Sequence, residues 1–278
     1  MRIIFAKNIG FCSGVKRAVL IAKKSLKKDL KPVQFLGEFV HNEKVIDRFK
    51  KERVKFIKNP REAESGILII QAHGFPPFSQ KINKKILIED TTCPLVKKVQ
   101  LIANFLYRKG YQVIILGDKD HAETKGIKGY TKSKAIIIED ENQAKGLPRF
   151  KKIGFISQTT QNLDKFNRVL KILKNKTREI KWFNTTCPEV NARQRELNKV
   201  LKKCDGILVI GSRSSANTKR LFQTARKFKR RVFWINSLEE LKNQKLKNVS
   251  KLGVVSGTST PDWEVRKIKK WLEDVKQE

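Results

Sequence analysis

The letters TTCP occur twice, as Thr91-Thr92-Cys93-Pro94 and as Thr185-Thr186-Cys187-Pro188. The chain has only four cysteines in 278 residues, and two of them share this frame. A third, in Phe11-Cys12-Ser13-Gly14-Val15, shares part of it. Cys12, Cys93 and Cys187 are each followed at the third position by valine (Val15, Val96, Val190) and then by a helical pattern. Their separations are 81 and 94 residues. Recurrence at such a period marks a repeat architecture.

Two further features recur in step. Leu36-Gly37 leads to His41 and Glu43, and Leu116-Gly117 leads to His121 and Glu123, so both read LG-x-x-x-H-x-E. The third copy, Ile210-Gly211, leads to Ser215 and Asn217. His41, His121 and Ser215 lie 28 or 29 residues after the cysteine of their copy. Later in each copy an apolar run ends in small or polar residues: ILIIQAHG with His73, IGFISQTTQN with Thr159 and LGVVSGTSTP with Ser259.

Short β-branched runs such as VIIL (113–116), GILVI (206–210) and RVFWI (231–235) alternate with amphipathic stretches such as 15–28, 96–110 and 193–204. Strands alternating with helices predict an α/β fold with mainly parallel sheets. The repeat predicts three modules, at 1–92, 93–186 and 187–278, the last with a C-terminal tail. Ligands of parallel sheets bind beyond the carboxyl ends of the strands. Pseudo-threefold packing would therefore bring three cysteines to one point, ringed by His41, His73, His121, Glu43, Glu123, Thr159, Ser215, Asn217 and Ser259. The chain's only three histidines all fall at these strand ends.

Apolar residues make up 39% of the chain, enough for a core of this size, and charged residues 32%. Lys and Arg number 62 against 27 Asp and Glu, a net charge of +35. Such a surface attracts polyanions: nucleic acid, acidic proteins and phosphorylated metabolites. No like-charge run is long or aromatic-laced enough for a nucleic-acid platform. The longest apolar runs, GILII, VIILG and GILVIG, are strand-length, so no membrane span is expected. MRIIFAKNIGFCSG lacks the apolar centre of a signal peptide, so a cytoplasmic location is expected. Thiols stay reduced there, and distant cysteines suggest metal or catalysis over disulfides.

Structural zinc sites use tight Cys-x-x-Cys pairs, which this chain lacks. Iron–sulfur clusters are held by thiolates, usually four per cubane; three would leave one iron open for substrate. Cys204 stands outside the repeat frame and reads as a small buried hydrophobe. Two rivals stay open on these observations: a basic nucleic-acid-binding protein with a structural metal, and a cluster enzyme that dehydrates without net reduction.

The motifs NIGFCSGVKRAV, GEFVHNEKVI, QAHGFPP, DTTCPLVKKVQ, HAETKGIKGY, SQTTQN, NTTCPEVNARQ, GSRSSANTKRL and SGTSTPDW follow one another in this order. On them the chain resembles the 4-hydroxy-3-methylbut-2-enyl diphosphate reductase family over roughly residues 1–265. The resemblance implies a trefoil of three pseudo-threefold-related α/β modules around a central [4Fe–4S] cluster held by Cys12, Cys93 and Cys187. It implies reductive dehydroxylation of an allylic diphosphate, in the last step of the methylerythritol phosphate route to isoprenoids. Isopentenyl and dimethylallyl diphosphates would be the products. Glu123 matches the family's proton-delivering acid, Thr159 the threonine beside it and His121 a histidine near the substrate. His41, His73, Ser215, Asn217 and Ser259 match diphosphate-binding positions. The expected electron donor is an acidic carrier, ferredoxin or flavodoxin. One departure is Ala216, where the family usually has a second serine; Ser214 and Thr218 are the substitutes the sequence offers.

Overall fold

The computed structural model describes residues 1–78, 85–229, 231–244, 246 and 249–274; the end of the C-terminal tail lies outside them. Among the described residues the fold is α/β with three four-stranded sheets, every strand pair parallel.

The chain forms two compact units. One comprises Met1–Lys16, Val40–Phe49 and Pro188–Glu278 and carries one sheet. Its strands are β1 (Arg2–Phe5), β10 (Gly206–Ile210), β11 (Arg231–Ile235) and β12 (Lys251–Ser256), in the order β1-β12-β10-β11. The other comprises Arg17–Phe39 and Lys50–Cys187 and carries two sheets. In the first, β2 (Val33–Leu36), β3 (Lys55–Ile57), β4 (Gly66–Ile70) and β5 (Ile86–Asp90) run in the order β3-β2-β4-β5. In the second, β6 (Gln112–Leu116), β7 (Ile136–Ile138), β8 (Phe150–Ser157) and β9 (Thr177–Trp182) run in the order β7-β6-β8-β9.

The three orders are one topology. In each sheet the first strand of the copy pairs with the second and third, and a fourth closes the third strand's far edge. In the sheet of β10–β12 that fourth strand is β1, from the opposite end of the chain. Each closing strand leads into a cysteine and a helix: β1 into Cys12 and α1 (Ser13–Leu26), β5 into Cys93 and α3 (Pro94–Arg108), β9 into Cys187 and α7 (Pro188–Leu201).

The apolar runs are continuous because these sheets are covered on both faces. In β10, Ile207 and Val209 pack with Leu197, Val200 and Leu221 of α7 and α8 (Ala216–Phe228). Leu208 and Ile210 turn to the other face, with Leu241 of α9 (Leu238–Lys242) and Ile268 and Leu272 of α10 (Asp262–Asp274). In the same way β6 sends Ile114 and Leu116 toward Phe166 and Val169 of α6 (Leu163–Lys174). Its Val113 and Ile115 face Val99, Ala103 and Leu106 of α3.

The Leu/Ile-Gly step of the repeat has a local cause. Gly37, Gly117 and Gly211 each donate their amide to the last carbonyl of the neighbouring strand: Ile57 at 2.8 Å, Ile138 at 2.9 Å and Ile235 at 2.8 Å. The chain then leaves the sheet, at φ +75° for Gly37 and +143° for Gly211, values that favour glycine. The departing loops lead to α2 (Glu43–Lys50), α4 (Ala122–Gly129) and α8.

Candidate active site

The TTCP repeat is a structural unit. Thr91 Oγ1 donates back to the carbonyl of Ile70, the last residue of β4, and Thr185 Oγ1 donates to that of Ser157, the last residue of β8. The next amide folds onto the side chain two residues earlier: Thr92 N to Asp90 Oδ1 at 2.9 Å, and Thr186 N to Asn184 Oδ1 at 3.1 Å. Each cysteine amide then donates two residues beyond the same strand end, Cys93 to Ala72 O (3.0 Å) and Cys187 to Thr159 O (2.7 Å). Proline follows at the first helical position, where no amide is needed. Cys12 makes the corresponding strand-end bond, to Thr258 O (2.9 Å), and its Sγ accepts the amide of Val15 at 3.4 Å.

The two turns in the larger unit connect through a set of strand-end groups. Thr159, whose carbonyl receives the Cys187 amide, donates its own amide to Glu123 Oε1 at 2.6 Å and its hydroxyl to Oε2 at 2.9 Å. Glu123 is 1% exposed. Its amide donates to His121 Nδ1 (3.1 Å), so His121 caps α4 and a neutral ring carries its proton on Nε2. The His121 and His73 rings meet edge to face, centroids 5.3 Å apart. His73 directly follows Ala72, the acceptor for Cys93. Cys93, His73, His121, Glu123, Thr159 and Cys187 thus line one continuous network.

The smaller unit gathers Cys12, His41, Ser215, Asn217 and Ser259. Ser259 Oγ donates to the His41 carbonyl at 2.9 Å, and Ser215 caps α8 by accepting the amide of Thr218 at 3.3 Å. Asn217 is 1% exposed, and neither its Oδ1 nor its Nδ2 has a hydrogen-bond partner among the described residues. Burying an amide with neither end bonded is costly, and a polar ligand would remove the cost. At the Ala216 departure the two candidate substitutes differ. Ser214 Oγ is engaged with Ser212 Oγ (2.8 Å) and Glu43 (3.4 Å), whereas the fully buried Thr218 Oγ1 has no partner among the described residues.

Glu43 and Glu123 share a sequence frame but not an environment. Glu43 is exposed, and it accepts from Ser212 Oγ (2.7 Å), Asn236 Nδ2 (2.9 Å) and Ser214 Oγ. Partial burial pushes its carboxyl up, but the bonds from Ser212, its own backbone, Asn236 and Ser214 together outweigh that and hold it below the usual carboxylate range. Cys204 lies in the core against Val200 and Ile207, and burial pushes its thiol up. Sequence reasoning passed over Ser256, Asp262 and Arg193. Arg193 is 4% exposed and donates to the carbonyls of Gly10 (2.7 Å) and Ser256 (3.0 Å). Their letters stand inside the quoted motifs, but only spatial proximity reveals what they bond.

Residues 3–273 match the model of the LytB protein family. The chain belongs to this family. Relatives named 4-hydroxy-3-methylbut-2-enyl diphosphate reductase align with the chain along almost its whole length. That of Dictyoglomus turgidum is 41% identical over 266 residues, covering 94% of this chain and 93% of the relative. That of Geobacter metallireducens is 37% identical over 265 residues, covering 95% and 94%. Among solved structures, the E-1-hydroxy-2-methyl-but-2-enyl-4-diphosphate reductase of Plasmodium falciparum superposes with a TM-score of 0.89 at 33% identity, covering 98% of this LytB chain and 87% of that one. LytB enzymes are iron–sulfur dependent. Taken one by one, Cys12, Cys93 and Cys187 suit thiolate ligation of iron: each is half-buried, lies ahead of a helix whose N-terminal end favours negative charge, and has its amide tied beyond a strand end. Among the described residues no helix is long and apolar enough to cross a membrane.

Proposed function

We propose that this chain is a 4-hydroxy-3-methylbut-2-enyl diphosphate reductase. It removes the substrate's hydroxyl as water, with two electrons and protons, and yields isopentenyl and dimethylallyl diphosphates. The observation that carries the reading is the Glu123 carboxyl: buried, bonded twice by Thr159, and through it joined to the turn of Cys187.

Each module, 1–92, 93–186 and 187–278, contributes one cysteine. A [4Fe–4S] cluster on Cys12, Cys93 and Cys187 would supply electrons and, through the iron lacking a protein thiolate, a Lewis-acidic position for the hydroxyl. The remaining work falls to side chains. Hydroxide is a poor leaving group, so a positioned acid must protonate it as the C–O bond breaks. Glu123 is that acid, and Thr159 holds both its oxygens in place. His121 presents its Nε2 proton beside it. Asn217, Ser215, His41 and His73 donate to the diphosphate, as charge-assisted hydrogen bonds require, and Ser259 joins them by turning its hydroxyl from the His41 carbonyl to a phosphate oxygen.

The protein should be purified and reconstituted without air, then given the allylic diphosphate and a small chemical reductant. The expected result is a brown protein with about four irons per chain that forms both products only when reductant is present. A colourless, zinc-bearing preparation that binds DNA or RNA with steep salt dependence would favour the nucleic-acid reading. Turnover without reductant would favour simple dehydration.

Electrons reach the enzyme from an acidic carrier, ferredoxin or flavodoxin. A chain at +35 attracts such a partner through a field that salt screens over about 8–10 Å at ordinary ionic strength. Carrier-driven turnover should fall steeply between low and moderate salt, while turnover on the chemical reductant changes far less. Equal salt dependence of the two rates would leave the basic surface without a role in electron delivery.

A further inference from the structure

The three cysteine turns share one bond and differ in another. In all three the cysteine amide donates to a carbonyl two residues beyond a strand end. In two, the amide just before the cysteine is held by a side chain three residues before it, Asp90 for Cys93 and Asn184 for Cys187. The matching position before Cys12 is Ile9, which offers no acceptor. There the Phe11 amide donates instead to Asp262 Oδ1, at 2.9 Å and across 251 residues of sequence.

Gly10 shows that the loop is shaped for this carboxylate. Its φ is +85°, and a Cβ placed on it would lie 2.2 Å from Asp262 Oδ1. The same loop is tied by Gly10 N to Ser256 Oγ (2.8 Å) and by Arg193 Nη2 to Gly10 O (2.7 Å).

The geometry points to Asp262 as the positioning residue for Cys12: it completes from a distant segment the turn that Asp90 and Asn184 complete locally for Cys93 and Cys187. The role belongs to the acceptor oxygen. The carboxylate's charge also meets Lys16 Nζ at 3.4 Å, but that lysine is 57% exposed and such a pair adds little. The inference deepens the reading of Cys12 as a cluster ligand, and its test does not depend on that reading.

The test labels the cluster-free protein with a small alkylating reagent and follows each cysteine separately by mass spectrometry. Asp262→Ala should speed modification of Cys12 roughly three- to tenfold, the shift expected from losing one hydrogen bond. Cys93 and Cys187, whose turns carry their own acceptors, should keep their rates. Asp262→Asn retains an acceptor oxygen, as Asn184 does naturally, and should restore the wild-type rate; Lys16→Ala should change nothing. In the reconstituted protein, Asp262→Ala should also release iron to a chelator faster than Asp262→Asn. Equal acceleration by the Asn and Ala variants would assign the effect to charge and overturn the proposal. So would an unchanged Cys12 rate in Asp262→Ala, or acceleration of the buried Cys204 alongside Cys12, which would mark a general loosening of the fold.

Discussion

Glu123→Gln is expected to lower turnover at least about a hundredfold, or about 2.7 kcal/mol of barrier, while leaving substrate binding in place. Glutamine matches the shape of the acid. Its amide oxygen can still receive the Thr159 amide, and its amino group can donate to the Thr159 hydroxyl, so the two contacts that place the side chain survive. What disappears is the acidic proton. Glu43→Gln is the control, and it should change turnover by only a few-fold. A carboxyl held below the usual range by Ser212, Asn236 and Ser214 stays ionised at neutral pH and has no proton to give. Single-turnover rates with saturating substrate, measured beside substrate affinity, separate the two variants. An inactive Glu43→Gln with a nearly normal Glu123→Gln would move the acid to the first module.

Replacing any one of Cys12, Cys93 and Cys187 by serine is expected to abolish the cluster, with iron and sulfide near zero and the visible absorbance gone. An alcohol is a poor substitute for a thiolate as a ligand to a soft iron–sulfur site. Cys204→Ala should bind iron as the wild type does, because this side chain packs in the core with Leu197, Val200 and Leu201 and burial keeps its thiol protonated. Its cost should appear in the unfolding transition instead, through the small cavity left beside Val200 and Gly253. Loss of the chromophore in the Cys204 variant, with iron retained in one of the other three, would reassign the ligands.

The amino-acid sequence by itself determined the repeat and the class of fold. TTCP is readable because part of its bonding is short-range: the Asp90 and Asn184 side chains reach only two residues ahead, and proline opens the helix directly after the cysteine. The continuous apolar runs likewise report parallel strands covered on both faces. Tertiary structure alone decided which strand closes the sheet of β10–β12. Nothing local in Arg2–Phe5 names Lys251–Val254 as its partner. It also decided which of two glutamates in the same LG-x-x-x-H-x-E frame is buried. Glu123 meets Thr159, 36 residues on, and Glu43 meets Ser212, 169 residues on. Asp262 reaches the Cys12 turn across a still longer interval. The physical reason is the same in each case. A side chain's protonation, burial and hydrogen bonds depend on the groups that packing brings within about 3 Å of it, and those groups can come from anywhere along the chain.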